Sequence, residues 1–129
     1  MTEIELDARA PSSTGLEPPF AAALAYLAGP FSGIIILLAE RTNRFVRFHA
    51  WQAIIGLGGL GLLAALLLVS AFLGLFFSPT IFRALYVGSA VAAVVWLAVW
   101  GVCLVKAFGG TVLRLPLAGS FSERRAMRP

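Results

Sequence analysis

The side chains that could do chemistry lie mainly in one short polar stretch, residues 40–52. It holds three arginines and the only histidine of the sequence. A histidine can titrate near neutral pH or bind a metal ion, so His49 is the first candidate for chemistry. No second histidine and no cysteine or acidic cluster accompanies it, so we expect no metal site and no cofactor. The sequence also lacks a nucleophile–base pair, a carboxylate pair and a phosphate-binding loop, which indicates that the protein is not an enzyme.

The same stretch combines arginines with aromatic rings in a way that suits a membrane interface. As a helix it places Phe45, Phe48 and His49 on one side, and the arginines repeat every three to four positions on a neighbouring side. Aromatic rings enter the acyl boundary while guanidinium groups bind lipid phosphates, and an indole is favoured at headgroup level. We therefore predict that one set of residues forms a lipid-interface segment: Arg41, Arg44, Phe45, Arg47, Phe48, His49 and Trp51.

The sequence on both sides of this stretch is apolar enough for a bilayer. The chain has 129 residues, of which 60% are hydrophobic and 12% are charged, whereas a soluble domain averages about 25% charged residues. Three apolar runs have the length of a membrane span. We predict an all-α membrane protein with transmembrane helices at about 20–39, 51–77 and 81–108, inside a membrane domain that covers 20–110.

The two ends of the chain are predicted to lie outside the membrane domain. Residues 1–19 are polar, acidic and rich in proline and serine, so we expect a disordered tail. Residues 111–129 form a basic tail in which Leu113, Leu115 and Leu117 alternate around Pro116. We expect an interfacial loop or short turn there, followed by a frayed end.

The first apolar run is interrupted at Gly29-Pro30, and two geometries stay open. The proline cannot donate a helical hydrogen bond, so the run is either a kinked spanning helix or a re-entrant hairpin that turns there. With three spans, eight Lys and Arg residues lie on the side of the 40–50 loop and two on the other. The positive-inside rule then predicts a multi-pass protein of the cell membrane with a cytoplasmic C-terminus and an external N-terminal tail. A re-entrant first run would move only the N-terminal tail to the cytoplasmic side.

Small residues recur at helical spacing along the apolar runs and allow other helices to approach closely. We expect packing surfaces, within the chain or between chains, at these positions: Gly29, Gly33, Gly58, Gly61, Ala65, Gly88 and Ala92. Cys103 is expected to be a small buried residue rather than an acylation site. The expected partners are membrane lipids and other membrane proteins or a second copy. Nucleic acid is not expected, because the basic residues adjoin bilayer-length segments.

Three segments carry a family resemblance: Leu-Ala-Tyr-Leu-Ala-Gly-Pro at 24–30 with Ser32 and Gly33, Asn-Arg-Phe-Val-Arg-Phe-His-Ala-Trp-Gln at 43–52, and Arg-Leu-Pro-Leu-Ala-Gly at 114–119. Through them the chain resembles the small prokaryotic membrane proteins called Tic-twenty-like, a domain of unknown function. Their namesake is a channel-associated component of the chloroplast inner-envelope import machinery. The chain departs from the family pattern at Ala53 and Ser120, and the plant protein has four spans. We expect a non-enzymatic helix-packing subunit or scaffold; the resemblance implies a pore-forming or translocation-associated component as the alternative.

Overall fold

The computed structural model describes residues 3–112 and 118–127, and the regular structure in these residues is helical. A 3-10 turn at Asp7–Arg9 follows the first helix, and a π-helical segment at Ala53–Leu57 joins the fourth helix to the fifth. The helices are α1 Glu3–Leu6, α2 Pro18–Leu27, α3 Pro30–Ala39, α4 Arg44–Gln52, α5 Gly58–Gly74, α6 Pro79–Phe108 and α7 Ala118–Ala126.

Two helical stretches are long and apolar enough to cross a membrane. The first is Arg44–Gly74, 31 residues in which α4, the π-helical segment and α5 run on without a break, and the second is α6, with 30 residues. Ser78 caps α6 by accepting a hydrogen bond from the Thr80 N–H, and Pro79 occupies the first turn, where its missing N–H costs nothing. The two stretches pack side by side, and the Ser89 hydroxyl donates to the Ala64 carbonyl across the contact.

The first apolar run is folded as two helices, not as one helix over 20–39. Gly29 has φ of +63°, a conformation that favours glycine, and Pro30 starts a new helix directly after it. The Ser32 hydroxyl accepts from the Ala28 N–H and donates to the Ala25 carbonyl, so it satisfies groups that the break leaves free. The expectation of three spans is thus not confirmed: two stretches of the described residues have the required length, and this run is a helical hairpin.

The hairpin returns the chain to the end from which it came. Glu40, directly after α3, accepts hydrogen bonds from Ser13, which lies shortly before α2. The two helices are therefore antiparallel. Each has ten residues, or about 15 Å of helix, which is half of a hydrocarbon core of about 30 Å.

Both ends of the described chain pack against α4, which corrects two predictions. Residues 3–10 were expected in a disordered tail, but α1 buries Ile4, and the Asp7 carbonyl accepts from the Asn43 amide. The C-terminal segment was expected to be frayed, but α7 forms and lies against α4. Polar composition concealed both contacts, because each depends on a few residues that meet α4 over a long sequence distance. The predicted alternation of Leu113, Leu115 and Leu117 around Pro116 lies outside the described residues.

Four of the seven predicted packing residues are glycines at which a Cβ atom would press on a neighbouring helix, at 3.0–3.3 Å: Gly29, Gly33, Gly58 and Gly61. The tightest is Gly33, whose Cβ would lie 3.0 Å from the Ala50 carbonyl oxygen. The other three positions differ. Ala92 is buried, a Cβ on Gly88 would meet Leu67 at an ordinary 3.8 Å, and Ala65 is exposed, so Ala65 does not pack within the chain.

Matched glycine variants test this packing. Gly33→Ala should lower the free energy of unfolding by about 1–3 kcal/mol, because the new methyl group presses on a backbone carbonyl that cannot move away alone. Gly88→Ala should be neutral or stabilising, because its methyl group has room and alanine favours helix. Thermal unfolding in mild detergent measures both, and equal melting temperatures would contradict the close approach of α3 to α4.

Candidate functional site at the polar end of the helices

The apolar side of α4 faces the protein interior. Asn43 caps the start of the helix, because its side-chain oxygen accepts from the Val46 N–H at 3.2 Å. Three of the predicted lipid-interface side chains, Phe45, Phe48 and His49, are 0% exposed. The prediction that these three contact lipid is corrected: the same side of the helix is buried in the core and packs against the α2–α3 hairpin.

His49 lies at the centre of a buried hydrogen-bond network. Its Nδ1 is 2.7 Å from the Tyr26 hydroxyl, and its Nε2 is 3.1 Å from the Thr111 carbonyl oxygen. A carbonyl oxygen can only accept, so Nε2 carries the proton and Nδ1 accepts from Tyr26. The Gln52 amide donates to the Tyr26 oxygen at 3.0 Å. The hydrogen bonds therefore run in one direction, from Gln52 through Tyr26 and His49 to the backbone.

Aromatic side chains enclose this network. The rings of Tyr26, Phe45 and Phe48 stand edge-on to the imidazole of His49, with centroid distances of 5.4, 4.6 and 5.2 Å. Cys103 is fully buried nearby in the same core, as the sequence predicted. The network joins three parts of the chain: the hairpin, α4 and the segment that follows α6.

Two tryptophans of α6 hold the hairpin and the π-helical segment. The Trp100 indole N–H donates to the Tyr26 carbonyl at 2.8 Å, and the Trp96 indole N–H donates to the Leu57 carbonyl at 2.9 Å. The two indoles are stacked with a 6° angle between their planes. The Tyr26 carbonyl also accepts from the Gly29 N–H at 2.9 Å, so the Trp100 bond is a second hydrogen bond to it and ties α6 to the end of α2.

Glu40 forms a second polar centre between α3 and α4. It is 0% exposed, and its carboxylate accepts from the Ser13 hydroxyl at 2.7 Å and from the backbone N–H groups of Thr42 and Asn43 at 3.0 Å each. The Ser12 hydroxyl is a further donor. Burial raises the pKa of a carboxyl group, but these hydrogen bonds outweigh burial and lower the pKa of Glu40 to about 2. The carboxylate is therefore charged at neutral pH and fastens the N-terminal segment to the loop.

The other predicted interface residues lie nearer the surface. Arg41 is exposed, and Arg44 pairs with Asp7 at 3.1 Å. Arg47 donates to the Glu40 carbonyl at 3.2 Å, and Trp51 packs against α7. Their contact with lipid stays a prediction.

Several partners in the site were missed by sequence reasoning. Tyr26, Asp7 and Thr111 stand 23, 42 and 62 positions from His49, and no local periodicity links such distant residues. Asn43 is different, because an asparagine directly before a helix is a recognisable cap signal. The missed residues are therefore those that act through long-range contacts.

These features define a class: a small helical membrane protein in which two long apolar helices and a short helical hairpin meet at one polar end. The chain is 34% identical over 105 residues to a UPF0132 membrane protein of Archaeoglobus fulgidus, an alignment that covers 81% of this chain and 91% of the relative. Two UPF0132 membrane proteins of Methanocaldococcus jannaschii are 33% and 31% identical over 113 and 110 residues, covering 88% and 85% of this chain and 92% and 71% of the relatives. The chain belongs to the UPF0132 family of membrane proteins.

No protein-family model matches the chain, and no solved structure matches it. The relatives bear out an uncharacterised integral membrane protein, and their names state no activity. They show no link to the Tic-twenty-like proteins.

The hydroxyl of Tyr26 can be tested with a matched pair of variants. Tyr26→Phe removes the hydroxyl that donates to His49 Nδ1 and accepts from the Gln52 amide, and the loss of a buried hydrogen-bond partner costs about 1–3 kcal/mol. Tyr86→Phe removes the same hydroxyl from a residue that is 48% exposed on α6. Unfolding in detergent should show a clear loss of stability for Tyr26→Phe and almost none for Tyr86→Phe. An equal effect of the two changes would mean that the network does not hold the hairpin.

Proposed function

We propose that the chain crosses the membrane twice, that α2 and α3 form a re-entrant hairpin, and that both termini are cytoplasmic. The bonds of Glu40 to Ser13 and of His49 to Thr111 support this arrangement, because they hold the N-terminal segment, the α3–α4 loop and the segment after α6 at one end. In the sequence, Arg83 is the single basic residue that belongs to the opposite end. Basic residues favour the cytoplasmic side, so the polar end is cytoplasmic.

Within this arrangement the protein acts as a non-enzymatic helix-packing subunit or scaffold. The observation that carries this proposal is small residues on the outer surfaces of the two long helices. A Cβ atom on Gly59 or Gly101 would meet nothing within 4 Å, and Ala65 is exposed. Small residues let a membrane helix approach another closely, and here the approaching helix would come from another chain.

The polar network supports a structural role over an enzymatic one. Tyr26, His49 and Gln52 direct their polar groups at one another and at a backbone carbonyl, and all three are 0% exposed. A catalytic group must reach a substrate, and these side chains are enclosed by the hairpin and α6. A translocation pore is the second candidate by resemblance alone, and two long helices would need several copies of the chain to surround a lumen.

Topology reporters test the arrangement. A reporter after Pro129 and one before Met1 should both be active in the cytoplasm, while one inserted in the 78–80 loop should be active outside. The N-terminal fusion is the decisive one, because three spans would place it on the external side. External activity at the N-terminus would contradict the re-entrant hairpin and leave the cytoplasmic C-terminus in place.

Gentle detergent extraction with co-purification and mass measurement tests the packing role. The wild-type chain should be recovered in an assembly heavier than one chain. Gly59→Leu or Gly101→Leu should shift it toward a single chain without lowering the melting temperature, because a Cβ atom at either position meets nothing within 4 Å and leucine favours helix. The control is Val94→Leu, which alters a large side chain that is already 66% exposed.

Two outcomes would contradict the packing role: a wild-type protein that is monomeric after gentle extraction, or glycine variants that assemble as the control does. Conductance of vesicles that contain the purified assembly would favour the pore.

A further inference from the structure

The contact between α4 and α7 contains polar atoms that the protein does not satisfy. Three buried side-chain atoms of the described residues have no hydrogen-bond partner: Arg47 Nε, Trp51 Nε1 and Ser122 Oγ. Each such atom costs about 1–3 kcal/mol when it stays unpaired. Native proteins leave few groups of this kind, so three of them on two helices that pack against each other require an explanation.

The side chains that carry these atoms lie on two helices that pack against each other, and we name the contact of these helices the α4–α7 seam. Arg47 and Trp51 are one helical turn apart on α4. The Trp51 and Phe121 rings are 6.1 Å apart, and Arg44 reaches Met127 at the other end of α7. The helices are therefore antiparallel, and Ser122, which is 0% exposed, lies between these two contacts on the inner side of α7.

The chemistry of the seam suits an anion. The guanidinium and indole nitrogens can only donate hydrogen bonds, and the hydroxyl can donate as well. Arg125 adds a second guanidinium, whose carbon lies 5.1 Å from the Trp51 ring centroid and 5.5 Å from that of Phe121. Stacking on a ring uses the flat face of a guanidinium group and keeps its N–H edge available to an oxygen ligand.

Further positive charge lies beside the seam. Arg41 and Arg124 are exposed, and Glu123 is the one acidic residue of α7. Several donors and a positive surround suit an oxyanion, and a phosphoryl group presents its oxygens tetrahedrally to donors that come from different directions.

We propose that the α4–α7 seam binds the phosphoryl group of an anionic phospholipid headgroup. The inference rests on the proposed membrane arrangement, which brings the polar end of the helices to the level of the cytoplasmic headgroups. Trp51 belongs to the same level, where indoles are favoured. The three unpaired atoms are covered while the seam is closed, so α7 moves aside from α4 when the lipid enters.

Native mass spectrometry of the full chain in mild detergent tests lipid binding, with phosphatidylglycerol and phosphatidylcholine as probes. The wild-type protein should retain phosphatidylglycerol at least tenfold more strongly. Trp51→Phe keeps the ring contact with Phe121 but loses the N–H, and Arg125→Gln loses the charge. Each should weaken retention about tenfold, as expected for one hydrogen bond to a charged group. Arg83→Gln, at the opposite end, is the matched control and should retain the lipid as the wild type does.

Ser122→Ala separates a ligand role from a structural one. Removal of an unpaired buried hydroxyl should raise the melting temperature in lipid-free detergent, and it should reduce the further rise that phosphatidylglycerol causes. A variant that melts higher but responds to the lipid as the wild type does would overturn the proposal. Equal retention of the two lipids, or a loss in Arg83→Gln as large as that in Arg125→Gln, would overturn it too. Stabilisation by millimolar inorganic phosphate without selective lipid retention would assign the seam to free phosphate and reject the lipid. None of these outcomes depends on whether the chain assembles with a partner.

Discussion

The left-handed turn at Gly29 is the constraint on which the rest of the structure depends. A residue with a Cβ atom rarely adopts its φ of +63°, and the proline that follows cannot donate the hydrogen bond of a continuous helix. The chain therefore reverses, and Ser32 satisfies the groups freed by the reversal. The reversal makes α2 antiparallel to α3 and brings the Tyr26 hydroxyl within hydrogen-bond distance of His49. Without this turn the first run would be one rod, and the buried network could not close.

The reversal also brings charged residues from two parts of the chain to the same end of the protein. It returns the chain to its starting end, where the buried carboxylate of Glu40 accepts hydrogen bonds from both the N-terminal segment and the loop before α4. Asp7 then stands beside Arg44. An acidic residue of the N-terminal segment thus lies next to a basic residue at the start of α4. Had the first run been a single span, it would have separated them by the thickness of the membrane.

The hydropathy of the sequence was enough to predict the long apolar helices, because their formation depends on neighbouring residues in the chain. Hydropathy gave the membrane class, and the helix expected at about 81–108 is close to the observed Pro79–Phe108. The helix expected at 51–77 is part of a longer one that starts at Arg44, because the aromatic stretch continues into it through the π-helical segment. Proline and glycine marked the break at 29–30, but composition alone could not choose between a kink and a reversal. Contacts of α2 and α3 with α4 and α6 make that choice.

The buried network around His49 was harder to predict, and the side of α4 that carries Phe45, Phe48 and His49 shows why. The spacing of an apolar face is the same whether lipid or protein covers it, so periodicity cannot identify the covering partner. Here the partner is the hairpin, which also supplies the hydroxyl for the imidazole. The same ambiguity applies to the small residues. Gly33 meets Ala50 inside the chain, whereas Gly59 and Gly101 have similar sequence surroundings and meet nothing. Packing inside the chain uses the polar end and the hairpin, which leaves the outer surfaces of α5 and α6 open to the second chain of the proposed assembly.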